Sequence, residues 1–205
     1  MNNFWMDVKN IAMASGQIAL LAIFAQNIIF TRALGTSASL FVIRKKYNLG
    51  IFGLIMAVIT TLSSCIIYFF RRPINSLRHA VYFRPFFYVL IVGVVYVAVL
   101  LFCSKFLKKY IDRIRPMIHL AAFNGAVLGA LLLNASAKMD FWGYLAFGIG
   151  TGVGFILASY LIALGFERLN SDKIPRVFRG FPITLIYIGI LSLAFHGLIG
   201  HELSM

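Results

Sequence analysis

The sequence predicts an all-α polytopic membrane protein of six transmembrane helices, arranged as two inverted three-helix repeats whose first helices are interrupted. Three observations lead to the six spans. Hydrophobic residues make up 61% of the 205-residue chain and charged residues only 12%, where a soluble domain is nearer half apolar and about a quarter charged. The apolar residues fall into six blocks, each close to the roughly 20 residues that an α-helix needs to cross a bilayer. The boundaries between blocks carry Pro or clustered Lys and Arg, the residues that mark membrane edges. A mean hydropathy of +0.90 agrees: a soluble fold could not hide this much apolar surface.

The first block runs from about Ile11 to Phe30 and ends around Arg32. A small-residue stretch, Leu34 to Ser39, separates it from Leu40 to Ile43 and the basic run Arg44-Lys45-Lys46. The second block, Leu49 to Phe70, is stopped by Arg71-Arg72-Pro73, and the third, Phe86 to Phe102, is entered through Arg84-Pro85. The fourth is Met117 to Ala137, the fifth Phe141 to Phe166, and the sixth about Phe181 to Ile199. The whole chain, 1–205, reads as one integral membrane domain, with repeat one over about 11–105 and repeat two over about 115–200. Asn27 followed by Leu34-Gly35 in block one is echoed by Asn124 followed by Leu128-Gly129 in block four. Three spans per half make the halves enter the membrane from opposite sides, which is the geometry of an inverted repeat.

The formal charge of +13 comes from 19 Lys and Arg against 6 Asp and Glu. Because the basic residues sit between apolar blocks, they read as headgroup anchors and orientation signals, not as a nucleic-acid surface. Lys and Arg number twelve in the loops after blocks one, three and five, and six on the other side, with Arg32 left aside. That bias puts those loops in the cytoplasm of a cell inner or plasma membrane protein and both termini outside. Asp7 near the start and the length of the first block argue against a cleavable signal peptide.

The candidate functional residues are few. Asn27 and Asn124 are amides at membrane depth, where an unpaired amide costs several kcal/mol. They read either as parts of a midplane site at discontinuous helices or as interhelical hydrogen-bonding residues. Gly148, Gly150, Gly152 and Gly154 form two overlapping GxxxG pairs, suited to close helix packing within the chain or against a partner. Glu167 and Arg168 at the end of block five read as a cytoplasmic-end ion pair. His119 and His196 lack any second ligand nearby in the sequence, and the two cysteines, Cys65 and Cys103, lie apart in apolar blocks. Neither a zinc site nor a disulfide framework is indicated. No phosphate-binding loop, dinucleotide fingerprint or HExxH motif is present, so the chain shows no self-contained active site.

Two segments resemble a known family. The run Asn124-Gly-Ala-Val-Leu-Gly-Ala-Leu-Leu-Leu-Asn134 is one. The other is Glu167-Arg-Leu, then Ile174-Pro-Arg-Val-Phe-Arg-Gly180 and Leu191-Ser-Leu-Ala-Phe195. They look like the Rnf/Nqr integral membrane subunits, most like the RnfA/NqrE type, and Gln26 to Gly35 resembles that family's first motif less closely. The resemblance implies half-helices meeting near the midplane, contributed here by Asn27, Gly35, Asn124 and Gly129, which become candidates for an ion path. It also implies a homologous partner subunit of opposite topology within a complex that couples electron transfer to Na⁺ or H⁺ movement. In that family a Cys in each half ligates a [2Fe–2S] cluster shared with the partner. Here those positions hold Ser37 and Gly125. The expectation is therefore a divergent member without the cluster, structural or ion-conducting. Alternatives are a small transporter or channel half-unit acting as a self-dimer, or a membrane scaffold.

Overall fold

In the computed structural model, residues 2–76, 78–136, 139–169 and 174–199 are described, and among them every regular element is helical. The eight helices in chain order are α1 (Asn2–Ile23), α2 (Thr36–Arg44), α3 (Leu49–Asn75), α4 (Ala80–Phe106), α5 (Ile111–Ala122), α6 (Gly125–Ser136), α7 (Phe141–Arg168) and α8 (Phe181–Ile199). Three of them, α3, α4 and α7, are long and apolar enough to cross a membrane. Helices α5 and α6, bent by 46° at a short break, pass as a fourth span if counted together, and α8 is a shorter apolar helix. Ala137, Lys138 and Lys173, which enter the sequence reading as a span end and in the charge count, lie outside the described residues.

Helix α7 is the centre of the fold. It packs along α3 on one side and α1 on the other, and its glycines explain how. A Cβ at Gly148 would lie 2.7 Å from Thr61 Cα, and one at Gly152 would lie 2.5 Å from Ala57 Cα, both on α3. A Cβ at Gly150 would lie 2.6 Å from Ala19 O, and one at Gly154 would lie 3.1 Å from Ile23 Cα, both on α1. Alternate residues on a helix point about 200° apart. Each GxxxG pair therefore serves a different neighbour, and both act within the chain. Helix α4, by contrast, buries little beyond Tyr88, Val92, Val95, Val99 and Cys103, and turns Val94, Val97, Leu101 and Phe102 outward. In a bilayer such an apolar exterior is the expected solvent-facing surface.

Several boundaries differ from the sequence reading. Block one does not continue as a helix to Phe30: α1 stops at Ile23, and residues 24–35 form a chain of turns. The stop is stabilised by Asn27, whose side chain satisfies the backbone groups that the helix releases. The small-residue stretch from Thr36 to Ser39 is not a linker but the start of α2. Its Ala38 and Ser39 are buried, so small side chains mark close packing here. Helix α3 runs on through Arg71-Arg72-Pro73 to Asn75. The arginines mark the edge of the apolar layer, not the end of the helix, and Pro73 forfeits a single backbone bond within two residues of the terminus. Likewise α4 begins at Ala80 and contains Pro85, and α5 begins at Ile111, ahead of the expected start of block four at Met117, and contains Arg113, Arg115 and Pro116. Block four is two helices, not one. Blocks five and six correspond to α7 and α8 with nearly the expected bounds.

Candidate functional site at the paired helix breaks

The two interruptions meet. Asn27 is fully buried. Its Nδ2 donates to Ile23 O at 2.8 Å and to Gly154 O on α7 at 3.0 Å. Its Oδ1 accepts from Ile29 N at 3.1 Å and from Phe30 N at 3.2 Å. One amide thus closes the end of α1, starts the following turn and ties both to the middle of α7. Such full satisfaction is what irregular backbone requires at membrane depth. Buried Ile28, Ile29 and Phe30 pack the turn into the core.

The second interruption is tighter. Helix α5 ends as Phe123 N donates to His119 O at 3.2 Å. Asn124 Oδ1 then accepts from Ala126 N at 3.1 Å, opening α6. Its Nδ2 lies 4.0 Å from Met56 Sδ on α3, the soft partner of a weak bond. So Asn27 reaches α7 while Asn124 reaches α3.

Gly35 and Gly129 are where the breaks touch. Gly35 has φ +82, a conformation that only glycine adopts freely. A Cβ there would lie 2.6 Å from Ala126 Cβ and 3.4 Å from Asn124 Oδ1. Gly129 gives space to the Leu34 side chain, with Ile28 beside it. Four of the sequence candidates, Asn27, Gly35, Asn124 and Gly129, therefore belong to one crossing point.

Ser37 and Gly125 open onto the outer side of that crossing. They share a cavity of about 280 Å³ with Ala38, Phe41, Leu120, Phe123 and Asn124. Both are exposed, and a Cβ at Gly125 would meet nothing within 4 Å. The fold thus brings together two positions 88 residues apart in sequence, on the surface of a chain of turns and helix starts. The donors on offer are a hydroxyl and a bare Cα. Iron–sulfur clusters are held by thiolates, and Cys65 on α3 and Cys103 on α4 do not line this cavity. These residues do not fit a thiolate-held cluster.

The remaining candidates are dispersed. Glu167 and Arg168 are exposed consecutive residues in the last turn of α7. Adjacent helical residues do not face one another. His119 Nδ1 lies 2.7 Å from the Tyr96 hydroxyl of α4, so it is a hydrogen-bonded residue of the α4–α5 contact. His196 is exposed on α8. Among the described residues no group of three or more His, Cys, Asp or Glu could hold a metal ion.

Sequence reasoning passed over a polar seam on α3. Thr60, Ser63 and Ser64 are buried there. Ser64 Oγ accepts from Asn134 Nδ2 of α6 at 3.1 Å, while Asn134 Oδ1 and Ser63 Oγ are buried without a partner. Ser39 of α2 similarly donates to Ser159 of α7 at 3.0 Å. The spacing of 60, 63 and 64, three positions on one helix face, was the available signal.

An all-helical chain with long apolar spans and buried amides at interrupted helices is a polytopic membrane protein. The model for Rnf-Nqr subunit membrane proteins matches residues 16–201, and the chain belongs to that family. It is 28% identical over 186 residues to the A subunit of the Na⁺-translocating ferredoxin:NAD⁺ oxidoreductase complex of Acetobacterium woodii, covering 91% of this chain and 97% of that protein. It is 30% identical over 183 residues to the A subunit of the ion-translocating oxidoreductase complex of Syntrophotalea carbinolica, covering 89% and 95%. The corresponding A subunit of the ion-translocating oxidoreductase complex of Vibrio vulnificus is 28% identical over 186 residues, covering 87% and 93%.

Proposed function

We propose that this protein is a membrane subunit of an Rnf/Nqr-like electron-transport complex that couples electron transfer to Na⁺ or H⁺ translocation, with a structural or ion-path role and no cluster of its own. The observation that carries the reading is the shared cavity of Ser37 and Gly125. The fold keeps the two positions together at the crossing of the breaks, as a cluster-bearing relative would need, while neither supplies a thiolate.

The reading includes six spans in two inverted halves. The first half is α1 with α2, then α3 and α4; the second is α5 with α6, then α7 and α8. What supports it is the reciprocity of the contacts: each half opens with an interrupted helix, and the Asn of each interruption reaches the long helix of the other half. With both termini outside a cell membrane, the Ser37–Gly125 rim suits a homologous subunit of opposite topology. Asn27 and Asn124, the buried amides of the two interruptions, are the residues on which an ion path is proposed.

The test is purification in mild detergent from the native cell, with identification of what accompanies the chain and optical and EPR spectra of the product. Rnf/Nqr-like subunits should co-purify, and no iron–sulfur signal should depend on this chain. A cluster signal lost on Ser37→Ala or Cys65→Ser refutes the cluster-free reading. Recovery of nothing but further copies of the chain refutes membership in such a complex and favours a self-dimeric transporter. A tag on either terminus that is protected in intact cells but accessible in inverted vesicles overturns the orientation.

A further inference from the structure

At the end of the bundle formed by the C-terminus of α3 and the N-termini of α4 and α7, a cavity of about 880 Å³ is lined by Arg71, Arg72 and Arg84 together with Tyr68 and Tyr144. Gathering three guanidinium groups around one space costs electrostatic repulsion unless an anion joins them. Asp140, the one carboxylate among the described lining residues, caps α7 by accepting from Gly143 N at 2.9 Å through its Oδ1, and its single charge leaves two of the three guanidinium charges uncompensated.

Two of the arginines are held in place. Arg71 donates from Nη1 to Met139 O at 2.7 Å, and its Cζ lies 4.5 Å from the Tyr68 ring centroid and 5.7 Å from that of Tyr144. Arg84 donates from Nε to Asn75 Oδ1 at 3.0 Å. These contacts occupy one donor of each fork and leave the others available. Planar guanidinium forks match phosphate oxygens in pairs.

The surroundings give the depth of the site. Tyr68, Phe69, Phe141 and Trp142 form a run of edge-on and tilted ring contacts, with centroids 5.5 to 5.9 Å apart. Phe69 and Trp142 are exposed. Aromatic residues of this kind concentrate at the level of lipid headgroups. In the same turn of α3 as Arg72 and Asn75, an apolar groove of about 520 Å³ begins at Pro73 and Ile74 and follows α3 and α4 toward Ile66 and Val94.

We infer that the arginine cavity is a binding site for the phosphate of an anionic phospholipid, whose acyl chains lie against the apolar flank of α3 and α4. Charge complementarity selects an anion, and the aromatic belt and the groove select a lipid over a soluble phosphate. This site is separate from the crossing of the breaks and does not depend on the role proposed for it.

The experiment uses the protein in mild detergent with whatever it assembles with. Dioleoyl-phosphatidylglycerol, dioleoyl-phosphatidylcholine and glycerol 3-phosphate are added separately, and retention is read by native mass spectrometry and stability by thermal unfolding. Phosphatidylglycerol should be retained at least tenfold over phosphatidylcholine and should raise the unfolding temperature, and glycerol 3-phosphate should do neither. The R72Q/R84Q variant should lose affinity for phosphatidylglycerol by about thirtyfold, whereas R113Q/R115Q, in another basic segment, should keep it. Equal retention of the two lipids, or a preference unchanged in R72Q/R84Q, overturns the inference. Stabilisation by glycerol 3-phosphate equal to that by the lipid overturns it in favour of a soluble anion. If R72Q/R84Q does not fold, the lipid and glycerol 3-phosphate comparison on the unaltered protein still decides.

Discussion

Gly152→Ala probes the fold where it is tightest. The new methyl group would lie 2.5 Å from Ala57 Cα, whereas ordinary van der Waals contact begins at 3.4 Å. Because the obstacle is backbone, no side chain can rotate out of the way, and α3 must retreat from α7 by about 1 Å. A gap of that size forfeits about a quarter to a half of the dispersion between the atoms it separates. Overpacking of this kind costs about 1–3 kcal/mol. Against it stands the preference of a helix for Ala over Gly, at most about 1 kcal/mol. The net loss is about 1–2 kcal/mol, which for a chain of this length lowers the unfolding temperature by about 2–8 °C. Gly125→Ala is the internal control, because its methyl group meets nothing within 4 Å. It should leave the unfolding temperature unchanged or slightly raised. Thermal unfolding of the two variants in one detergent checks the pair. A Gly152→Ala protein that melts at or above the unaltered chain, or a Gly125→Ala protein that falls as far, refutes the assignment of close packing to one glycine and open space to the other.

Asn27→Leu removes two donated bonds and leaves the Ile29 and Phe30 amides unpaired. Unfolding should show a loss of about 3–5 kcal/mol, larger than that of Asn124→Leu, which strands only the Ala126 amide; the reverse order defeats the capping argument. Ser63→Ala deletes a buried hydroxyl that has no partner, so stability should hold or rise by up to about 1 kcal/mol. Ser64→Ala strands the Asn134 amide donor and should cost about 1–2 kcal/mol in the same denaturation assay. The S37C/G125C double variant should bind Cd²⁺ at one site per chain by metal analysis, and neither single variant should; equal binding by a single variant contradicts a shared cavity.

What the sequence disclosed followed from how uniform each segment is. Helices α7 and α8 were legible to within two residues because their apolar runs are unbroken and their ends abrupt. Asn27, Asn124 and the Leu-Gly pairs flagged the interruptions, since an amide in an apolar run needs a structural reason. The helicity of Thr36 to Ser39 was hidden, because small polar residues read as linker until the helix they pack against is known. The ends of α3 and α4 were misplaced for a different reason: Arg71, Arg72 and Arg84 report where water begins, and a helix can extend past that plane. The α3 polar seam escaped notice because Ser and Thr are individually unremarkable in a membrane helix, and only the partnership with Asn134 distinguishes them. That Ser37 and Gly125 share one cavity could be expected only through the family resemblance, since local pattern carries no information on contacts between segments so far apart.

The open space beside Gly125 has a consequence for how such a protein can change over generations. The backbone at this rim is shaped by Asn124 and Gly35, not by the residues that occupy positions 37 and 125. Ser and Gly are each a single nucleotide substitution from Cys in the genetic code. The rim can therefore exchange its side chains without passing through an unfolded intermediate, in either direction. On the cluster-free role proposed above, forms of this fold with and without thiolates at the rim are neighbours in sequence space, separated by chemistry at two exposed positions and joined by the same crossing of helices beneath them.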